Sequence, residues 1–432
     1  MQKVLLITYY WPPSGGAGVQ RWLKMSKFLA KNYSLSVLVP QGAAYPILDE
    51  TLQKDVAPNI EVITTPIWEP YALAQKINPK NKQYQKGQID PSKKQSFLSK
   101  ISLWIRANLF VPDARIFWKN SAVKECLKKL NLNDFDAIIS TGPPHTCHLI
   151  ALELKQKFPH LKWLADFRDP WTDIDYFGKL PLTHWALEKH KKLEKEVISK
   201  ADIVTTVSPT WANDLAQIGG RNVEVIYNAY DEADFESIHL IKLNKKLIIN
   251  YLGSLNHDRS PSVLFQLLDQ KCQENEFCQQ FNLNLIGNIA SEVKEEILAL
   301  KNLAQCTQFV PYLPHDKAIQ EMSKSHVLLL LINDTENQKG IIPGKFFEYL
   351  ATGREILCLG DPDSDLATLL HQTKAGEIFK RNDAKSLNHY LDDLYQKFKE
   401  NQLDLRDNYA SIQDFSRRKS AEKIMKLLNI KE

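Results

Sequence analysis

The sequence predicts an α/β protein made of two doubly wound domains, each with a parallel sheet covered by helices. Short β-rich apolar runs alternate with segments of helical periodicity along the whole chain. The alternation begins again near residue 247, after a stretch at 228–243 in which the periodicity lapses. At 432 residues the chain is too long for a single core and suits two domains of ordinary size.

The apolar runs define the expected strands and the domain boundaries. Between the first two runs, Val19, Trp22, Met25 and Leu29 recur at helical spacing. The predicted strands are residues 3–9, 35–39, 60–64, 137–140, 162–166, 203–207, 223–226, 247–252, 283–286, 308–310, 327–332, 356–359 and 377–379. We expect an N-terminal domain at 1–235 with an insertion at 70–118, a C-terminal domain at 236–410, and a helix in 411–432 that packs back on the N-terminal domain.

Composition excludes several classes of protein. Hydrophobic residues make up 44% of the chain and charged residues 25%, as is typical of globular proteins. The net charge of +4 does not call for nucleic acid, and no zinc-finger spacing or RNA-binding aromatic signature is present. No apolar run approaches the roughly 20 residues that span a bilayer, and the first residues lack the features of a signal peptide. We therefore expect a cytoplasmic protein, soluble or at most peripheral on the inner face of the membrane.

Cysteine and acidic patterns do not predict a metal site. The cysteines are scattered without a Cys-x-x-Cys pair, which favours free thiols in a reducing compartment. They are Cys126, Cys147, Cys272, Cys278, Cys306 and Cys358. The run at 361–365 imitates the start of a calcium loop, but Leu366 stands where that loop needs glycine and Gln372 where it needs glutamate.

One segment interrupts the alternation. Residues 76–106 contain eight basic side chains and one acidic side chain, and they lead into an apolar, aromatic stretch at 97–111. A basic run beside an amphipathic one can attract anionic lipid headgroups. A solvated insertion whose helix covers the edge of the domain has the same pattern. Both interpretations stay open, so peripheral membrane contact through 76–111 is one of two expectations.

The strongest local signal is the run GIIPGKFFEYLATG at 340–353, between the predicted strands 327–332 and 356–359. Pro343 suits the first position of a helix and Gly353 the residue just past its end. The helix N-terminus would lie at the carboxyl edge of the sheet, where it can hold phosphate. Lys345 adds a positive charge for a diphosphate, and Glu348 can accept hydrogen bonds from ribose hydroxyls on the same helix face. The alternative is an ordinary surface Lys–Glu pair.

Several motifs together resemble family 4 retaining glycosyltransferases of the GT-B fold. The run IPGKFFEYLATG at 342–353 is similar to the donor-site motif of that family. Further similar stretches follow the family's order: YYWPPSGGAGV at 9–19, ADFRDPW at 165–171, VSP at 207–209, YNA at 227–229 and YLGSLNHDRSP at 251–261. The resemblance covers nearly the whole chain apart from 76–106.

The resemblance implies two Rossmann-like domains that face each other across a cleft. It also implies transfer of a hexose-type sugar, with retention, from a nucleotide-diphosphate sugar to a glycan or lipid-linked glycan in cell-surface polysaccharide synthesis, for example of lipopolysaccharide. Two cations and a helix end can neutralise the departing diphosphate, so we expect no metal cofactor. The implied donor-binding residues are Gly15, Gly16, Gly253, Arg259, Pro343, Gly344, Lys345 and Glu348.

On the first domain, the resemblance places a histidine near the donor sugar, and His145 is the match. His145 could orient a sugar hydroxyl or stabilise charge, and its alternative role is helix capping or packing. His148, one turn further on, is expected to be structural. A cluster at the end of another predicted strand suits a sugar acceptor, although an ion pair within it could be purely structural. Its members are Asp166, Arg168, Asp169 and Trp171.

One position departs from the family pattern. The family usually carries two glutamates eight positions apart, and the second of them matches Glu348. The first, which is commonly placed near the transferred sugar, falls on Gly340. No pair of carboxylates stands out as nucleophile and acid, which favours a front-face displacement held together by the departing diphosphate. Two alternatives remain: a GT-B nucleotide-sugar epimerase, which needs acidic catalytic residues, and a catalytically silent nucleotide-sugar-binding homologue, which Gly340 suggests.

Overall fold

The computed structural model describes residues 1–69, 97–174, 177–236, 245–403 and 412–429. The basic part of the predicted insertion, at 76–96, therefore lies outside the described residues. Each of the predicted strands is present, with ends shifted by a few residues. The strands are β1 Lys3–Ile7, β2 Ser34–Gln41, β3 Glu61–Pro66, β4 Ala137–Gly142, β5 Lys162–Phe167, β6 Ile203–Thr206, β7 Glu224–Val225, β8 Leu247–Leu252, β9 Phe281–Ile286, β10 Thr307–Val310, β11 Val327–Leu331, β12 Glu355–Leu359 and β13 Gly376–Phe379.

Helices connect these strands, and several helix starts have a side-chain cap. Thr183, Ser364 and Asp383 each accept a hydrogen bond from a backbone N–H of the first turn that follows. The described helices are α1 Ala17–Leu29, α2 Phe97–Leu109, α3 Ile116–Lys129, α4 Thr146–Lys157, α5 His184–Lys200, α6 Pro209–Gly219, α7 Ser262–Lys271, α8 Asn275–Gln280, α9 Ser291–Ala299, α10 Lys301–Gln305, α11 His315–Ser323, α12 Gly344–Ala351, α13 Asp365–Thr373, α14 Ala384–Lys399 and α15 Arg417–Leu428.

The chain forms two compact units. The first comprises residues up to Tyr227 together with the segment from Arg417 onward, and the second comprises Asn228–Ser416. The first unit thus ends before the expected boundary at 235. The segment after Tyr227 belongs to the second unit because Tyr230 forms a bridge with Ser416 and its N–H donates to Phe415 O at 3.1 Å.

The first unit is a parallel sheet of seven strands in the order β3-β2-β1-β4-β5-β6-β7. Both faces of this sheet carry core: in β1, Leu5 and Ile7 pack on one side while Val4 and Leu6 pack on the other. Because both faces of the strands are buried, the strands appear in the sequence as continuous apolar runs. The strand order reverses direction between β1 and β4, so the loops that leave these two strands open the crevice where such sheets bind ligands.

Helix α15 completes the core of the first unit. It packs against α1, and its fully buried Ala421, Ile424 and Leu428 join the apolar cluster that contains Trp22. Lys423 Nζ also donates to Val225 O at 2.9 Å on β7. The last described helix is therefore part of the first unit, although it follows the second unit in sequence.

The second unit repeats the plan with six parallel strands in the order β10-β9-β8-β11-β12-β13. Its reversal lies between β8 and β11. The loop after β8 begins at Gly253, and the chain after β11 leads into α12. These two connections meet at the carboxyl edge of the second sheet, which is the equivalent of the ligand-binding crevice in the first unit.

Candidate functional site

The loop that leaves β8 depends on a glycine to make room for a lysine. Gly253 has φ 134, a conformation that L side chains rarely adopt. A Cβ on Gly253 would lie 2.2 Å from Lys345 Nζ. Gly287, at the end of β9, is a second such position, since its Cβ would lie 2.3 Å from Gly253 O. Sequence analysis did not identify Gly287, because its role arises only when β8 and β9 pair.

Helix α12 presents its N-terminus at this edge. Pro343 is the residue before the first helical position, with φ −63 and ψ 143, and Gly344 is the first helical residue. The proline therefore stands one position earlier than predicted. No side chain caps this end of the helix, and Gly353, with φ 66, follows the other end. The uncapped first turn retains backbone N–H groups and positive dipole for an anion.

Lys345 lies in the first turn of α12 and points back to β8. Its Nζ donates to Leu252 O at 2.6 Å and lies 5.1 Å from the centre of the Tyr251 ring. Burial lowers the pKa of Lys345 to about 8, with a further lowering by Arg259 and an opposing effect of Glu348. An ammonium group held in this way gains from a bound anion, because the anion supplies the negative charge that its surroundings lack.

Two guanidinium groups accompany Lys345. Arg259 ends a short 3₁₀ turn after β8, and its charge counteracts the rise that burial causes in the pKa of Tyr251. Arg381, in the loop after β13, donates to Asp258 O at 3.1 Å and to Ile332 O. Burial lowers the pKa of Arg381, and Arg259 lowers it further. We call Arg259, Lys345 and Arg381 the cation cluster.

Sequence analysis missed Arg381, because only the fold brings the loop after β13 beside the loop after β8. Arg259 lowers the pKa of both Lys345 and Arg381, so the three positive charges are close enough to interact, and Lys345 belongs to the first turn of α12. Several cations beside a helix N-terminus suit a diphosphate group.

Glu348 lies one turn further along α12 and is partly exposed. Its Oε1 is 4.0 Å from His315 Nδ1, and His315 Nε2 is 3.2 Å from Asp234 Oδ2. His315 begins α11, so this row of polar side chains joins three separate segments of the second unit. Glu348 thus faces solvent beside a histidine that can fix its carboxylate, and neither His315 nor Asp234 was a sequence candidate.

In the first unit, the glycine loop after β1 is held close to a neighbouring loop. Gly15 N donates to Ile47 O at 2.9 Å, and a Cβ on Gly15 would lie 2.9 Å from Ile47 Cγ2. Gly16 has φ 82 and precedes α1 without offering a side-chain cap. The predicted glycine pair therefore stands at the start of a helix at the carboxyl edge of the first sheet.

His145 follows β4 and immediately precedes α4. The first helical residue, Thr146, is fixed by Asp113, which accepts from Thr146 N at 3.0 Å and from Thr146 Oγ1 at 2.8 Å. Asp113 comes from a distant loop and therefore had no sequence signal. This carboxylate supplies the helix cap, which His145 does not make with its own side chain.

The His145 ring is stacked and nearly buried. It lies parallel to Trp171 with ring centres 4.6 Å apart, and its exposed fraction is 6%. Burial, with smaller effects of His148, His190 and Arg168, lowers the pKa of His145 well below its usual range. Among the described residues, His145 Nδ1 has no hydrogen-bond partner. His145 is therefore a neutral imidazole at pH 7, with its Nδ1 atom buried.

Trp171 donates hydrogen bonds to two side chains of α5. Trp171 Nε1 donates to His190 Nδ1 at 3.0 Å, and Glu194 accepts from Trp171 N and Thr172 N, each at 3.3 Å. Trp171 is only 2% exposed. It stacks on His145, so its part in acceptor binding stays a prediction.

Asp166, another acceptor-side candidate, makes its hydrogen bonds within the first unit. It is fully buried, and it accepts from Arg21 at 2.9 and 3.1 Å and from Trp22 Nε1 at 2.8 Å. Burial raises the pKa of Asp166, but the Arg21 guanidinium and further hydrogen bonds outweigh this effect and lower it overall. Thr141 and Thr205 complete the shell at 3.2 and 2.8 Å.

Arg168 ties two loops of the first unit together. Its NH1 donates to Gly18 O at 2.6 Å, its Nε donates to Gly142 O at 3.4 Å, and its NH2 donates to Pro143 O. This guanidinium joins the glycine loop after β1 to the turn that carries His145. Its donors are directed at backbone carbonyls, whereas Asp169, the next residue, is partly exposed.

Comparison with known proteins gives structural matches only. No protein-family profile and no curated protein sequence matches the chain. Sucrose-phosphate synthase from Thermosynechococcus elongatus matches with a TM-score of 0.64 at 14% identity, over 99% of this chain and 98% of that one. HepE from Anabaena, in complex with UDP and glucose, matches with 0.62 at 14% identity, over 99% of each chain. WaaG, a glycosyltransferase involved in lipopolysaccharide biosynthesis, matches with 0.57 at 11% identity, over 99% of each chain.

The chain has the GT-B fold. Its two Rossmann-like units, with sheets of seven and six parallel strands, match these structures over almost their full length. At such low identity the similarity concerns architecture, and activity has to be argued from the site. Within the part of the chain that the structure describes, no helix is long and apolar enough to cross a bilayer.

Proposed function

We propose that this protein is a glycosyltransferase that takes a hexose-type sugar from a nucleotide-diphosphate sugar and transfers it, with retention, to a glycan or lipid-linked glycan. The observation that carries the proposal is the cation cluster at the uncapped start of α12, where Lys345 Nζ stands 2.6 Å from Leu252 O. Three cations and a helix end match the charge of a nucleoside diphosphate. A role in cell-surface polysaccharide synthesis on the cytoplasmic side of the membrane fits this substrate class.

The proposed reaction breaks the bond between the anomeric carbon and the diphosphate. The acceptor hydroxyl attacks the same face of the sugar, and its proton passes to the departing phosphate oxygen. Lys345, Arg259 and Arg381 neutralise the charge that grows on the diphosphate, so the chemistry needs no metal ion. Glu348 accepts hydrogen bonds from the ribose, and the neutral His145 bonds a hydroxyl of the transferred sugar.

A panel of nucleotide sugars tests the proposal, beginning with uridine derivatives because HepE was solved in complex with UDP-glucose. We expect one donor to raise the melting temperature and to release nucleoside diphosphate slowly by hydrolysis. Release should persist in the presence of a chelator. If activity required added manganese or magnesium, the metal-free mechanism would be wrong; if no nucleotide bound at all, the donor site would be wrong.

A silent binding protein is the second candidate, and Gly340 favours it. Gly340 is buried in a short 3₁₀ turn before α12 and offers no side chain at the position of the first of the family's two glutamates. Tight nucleotide-sugar binding without hydrolysis, and without transfer to lipid-linked glycan extracts, would support this candidate. An epimerase would instead convert the sugar nucleotide to an isomer, which chromatography of the product separates from hydrolysis.

We further propose that the first unit contacts an anionic membrane surface through α2. The outward face of this helix is apolar, with Ile101, Trp104, Ile105 and Leu109 exposed by 40, 44, 37 and 61%. Leu103 and Ala107 are buried on its other face. Trp68 and Phe117 extend the apolar surface, with ring centres 4.6 Å apart. The basic run at 76–100 precedes this face in sequence and supplies the charge for acidic headgroups.

Vesicle flotation at two salt concentrations tests this membrane contact. Binding to anionic vesicles should weaken with salt but persist, because aromatic burial does not depend on salt. Changing Lys82, Lys86, Lys93 and Lys94 to glutamate should reduce binding, as should Leu109→Ser. Leu298→Ser is the matched control, since Leu298 is 62% exposed on the second unit. Protein that stays with the soluble fraction at both salt concentrations would contradict the membrane contact.

A further inference from the structure

Three cysteines from separate segments of the second unit meet at one point. Cys272 follows the end of α7, Cys278 lies in α8, and Cys306 follows α10 just before β10. Their Sγ atoms all lie within 4.8 Å of one another, and Cys278 Sγ is 2.8 Å from Cys306 Sγ. We call these three residues the thiol cluster. Among the described residues it is the single group of metal-ligating side chains that meets this spacing.

The other cysteines show what a purely structural cysteine does in this fold. Cys126, Cys147 and Cys358 are fully buried, and Cys126 and Cys147 belong to the apolar core of the first unit. A free buried cysteine behaves as a small hydrophobic side chain and needs no sulfur neighbour. In the thiol cluster the sulfurs instead face one another, and Cys278 is partly exposed.

The backbone around the thiol cluster is fixed by a carboxylate between two of its segments. Asp269 Oδ1, in the last turn of α7, accepts from Asn302 N and Leu303 N, each at 2.9 Å. This contact caps α10 and locks the segment that bears Cys272 to the segment that bears Cys306. Cys306 Sγ also donates to Cys278 O at 3.3 Å. Such second contacts are what hold metal ligands in place before the ion binds.

We propose that Cys272, Cys278 and Cys306 bind a thiophilic metal ion, Zn²⁺ or Cu⁺, through three thiolates. Three sulfur ligands without an oxygen ligand exclude hard ions such as Mg²⁺ and Ca²⁺ and select soft ones. Sulfurs that share one zinc ion stand roughly 3.8 Å apart, so the Cys278–Cys306 pair has to open by about 1 Å. Cys278 can make that shift because it is partly exposed on a short helix, and the open side leaves room for a solvent ligand.

The proposed metal site has a structural role, because the thiol cluster and the cation cluster lie at opposite edges of the second sheet. Cys278 and Cys306 precede β9 and β10, so the thiol cluster stands at the amino edge of the second sheet. The cation cluster stands at the carboxyl edge. The bound ion would therefore stabilise the packing of α7, α8 and α10, and the proposed transfer reaction would remain metal-independent.

Metal titration of the reduced, metal-free protein tests the proposal. One equivalent of Cd²⁺, used as a spectroscopic probe, should produce sulfur-to-metal charge-transfer absorption in the ultraviolet. Zn²⁺ should raise the melting temperature, since it binds the folded state. Cys278→Ala should weaken Cd²⁺ binding at least tenfold and abolish the thermal shift. Cys126→Ala is the matched control and should behave as the wild-type protein. Competition with chelators selective for Zn²⁺ and for Cu⁺ then identifies the preferred ion.

Two results would overturn the metal site. One is the lack of charge-transfer absorption at one equivalent, or a Cd²⁺ affinity in Cys278→Ala equal to that of the wild-type protein. The other is a pair of thiols that is oxidised on isolation and takes up no metal after reduction, which would assign Cys278 and Cys306 to a disulfide. Nucleotide binding, measured in parallel, should be unaffected in Cys278→Ala, so failure of the metal site and failure of the donor site can be distinguished.

Discussion

The two sheets share a strand order, but the side chains at their reversal points differ in charge. In the second unit, the crevice collects Arg259, Lys345 and Arg381 around a helix start that has no side-chain cap. In the first unit, the guanidinium of Arg168 donates to backbone carbonyls, as that of Arg381 does in the second unit, and the group beside it is the neutral ring of His145. Under the proposed function, one topology would serve two tasks: a positive crevice suits a departing diphosphate, and a neutral stacked imidazole suits the hydroxyls of a sugar.

The largest expected effect is the loss of Lys345. Lys345→Ala should weaken nucleotide-diphosphate binding by about 1.5–3 kcal/mol, or about 10- to 150-fold in Kd, because a charged hydrogen bond is removed. Titration calorimetry measures this change. Lys385→Ala, on an exposed part of α14, is the control and should bind normally. Equal loss in both variants would mean that the positive crevice is not the binding site.

A second change tests whether Gly253 acts through Lys345. Gly253→Ala should displace the ammonium, since the new Cβ would lie 2.2 Å from Lys345 Nζ. We expect weaker nucleotide binding and little additional loss when Lys345→Ala is added, because coupled residues are not additive. Thermal unfolding of each variant separates this effect from misfolding. Additive losses in the double variant would contradict the contact.

His145 should affect rate without affecting nucleotide affinity. His145→Ala removes one hydrogen bond to the sugar, which corresponds to a fall in rate of about 2- to 10-fold. His145→Asn keeps a polar group and should recover part of the rate. Calorimetry with the nucleoside diphosphate should give the wild-type Kd for both variants. A higher Kd in either variant would contradict the proposed division of tasks between the two units.

The last prediction is a pH dependence of binding, which is small near pH 7. Lys345 has its pKa lowered to about 8, so it is mostly protonated at pH 7 and loses its charge as the pH rises through 8. A bound diphosphate stabilises the charged form. Nucleotide-sugar affinity should therefore be constant below about pH 7 and fall at higher pH, by about tenfold per pH unit once the lysine is neutral. Lys345→Arg, which keeps its charge, should remove this dependence, and an unchanged profile in that variant would assign it to another group.

The sequence predicted the sheets well because their strands are buried on both faces. Runs such as Leu5 to Ile7 are apolar throughout, and a parallel sheet covered by helices is the arrangement that buries such runs completely. The helix with Lys345 and Glu348 was also predictable, since Pro343 and Gly353 mark its ends within one short run. These features are local, and local signals are present in the sequence itself.

Contacts between distant segments were not predictable. Asp166 resembled an acceptor residue because it is a carboxylate at the end of a strand, but Arg21 reaches it from α1 and neutralises it. Arg381 and Asp113 act beside residues that are far away in sequence. The thiol cluster has no Cys-x-x-Cys spacing, since its three sulfurs come from different segments. Partners of this kind are determined by the packing of the folded chain.

The position of α15 has a consequence for how the polypeptide acquires its structure during translation. The ribosome makes the first unit's sheet early, yet Ala421, Ile424 and Leu428, which cover α1, emerge only after the second unit. Until then Val19 and Trp22 lack part of their apolar cover, while the second unit has every segment of its own. The core of the unit that is synthesised first is thus completed only after the second unit has been made. Nascent chains halted before residue 417 should therefore depend on chaperones that shield exposed apolar surface.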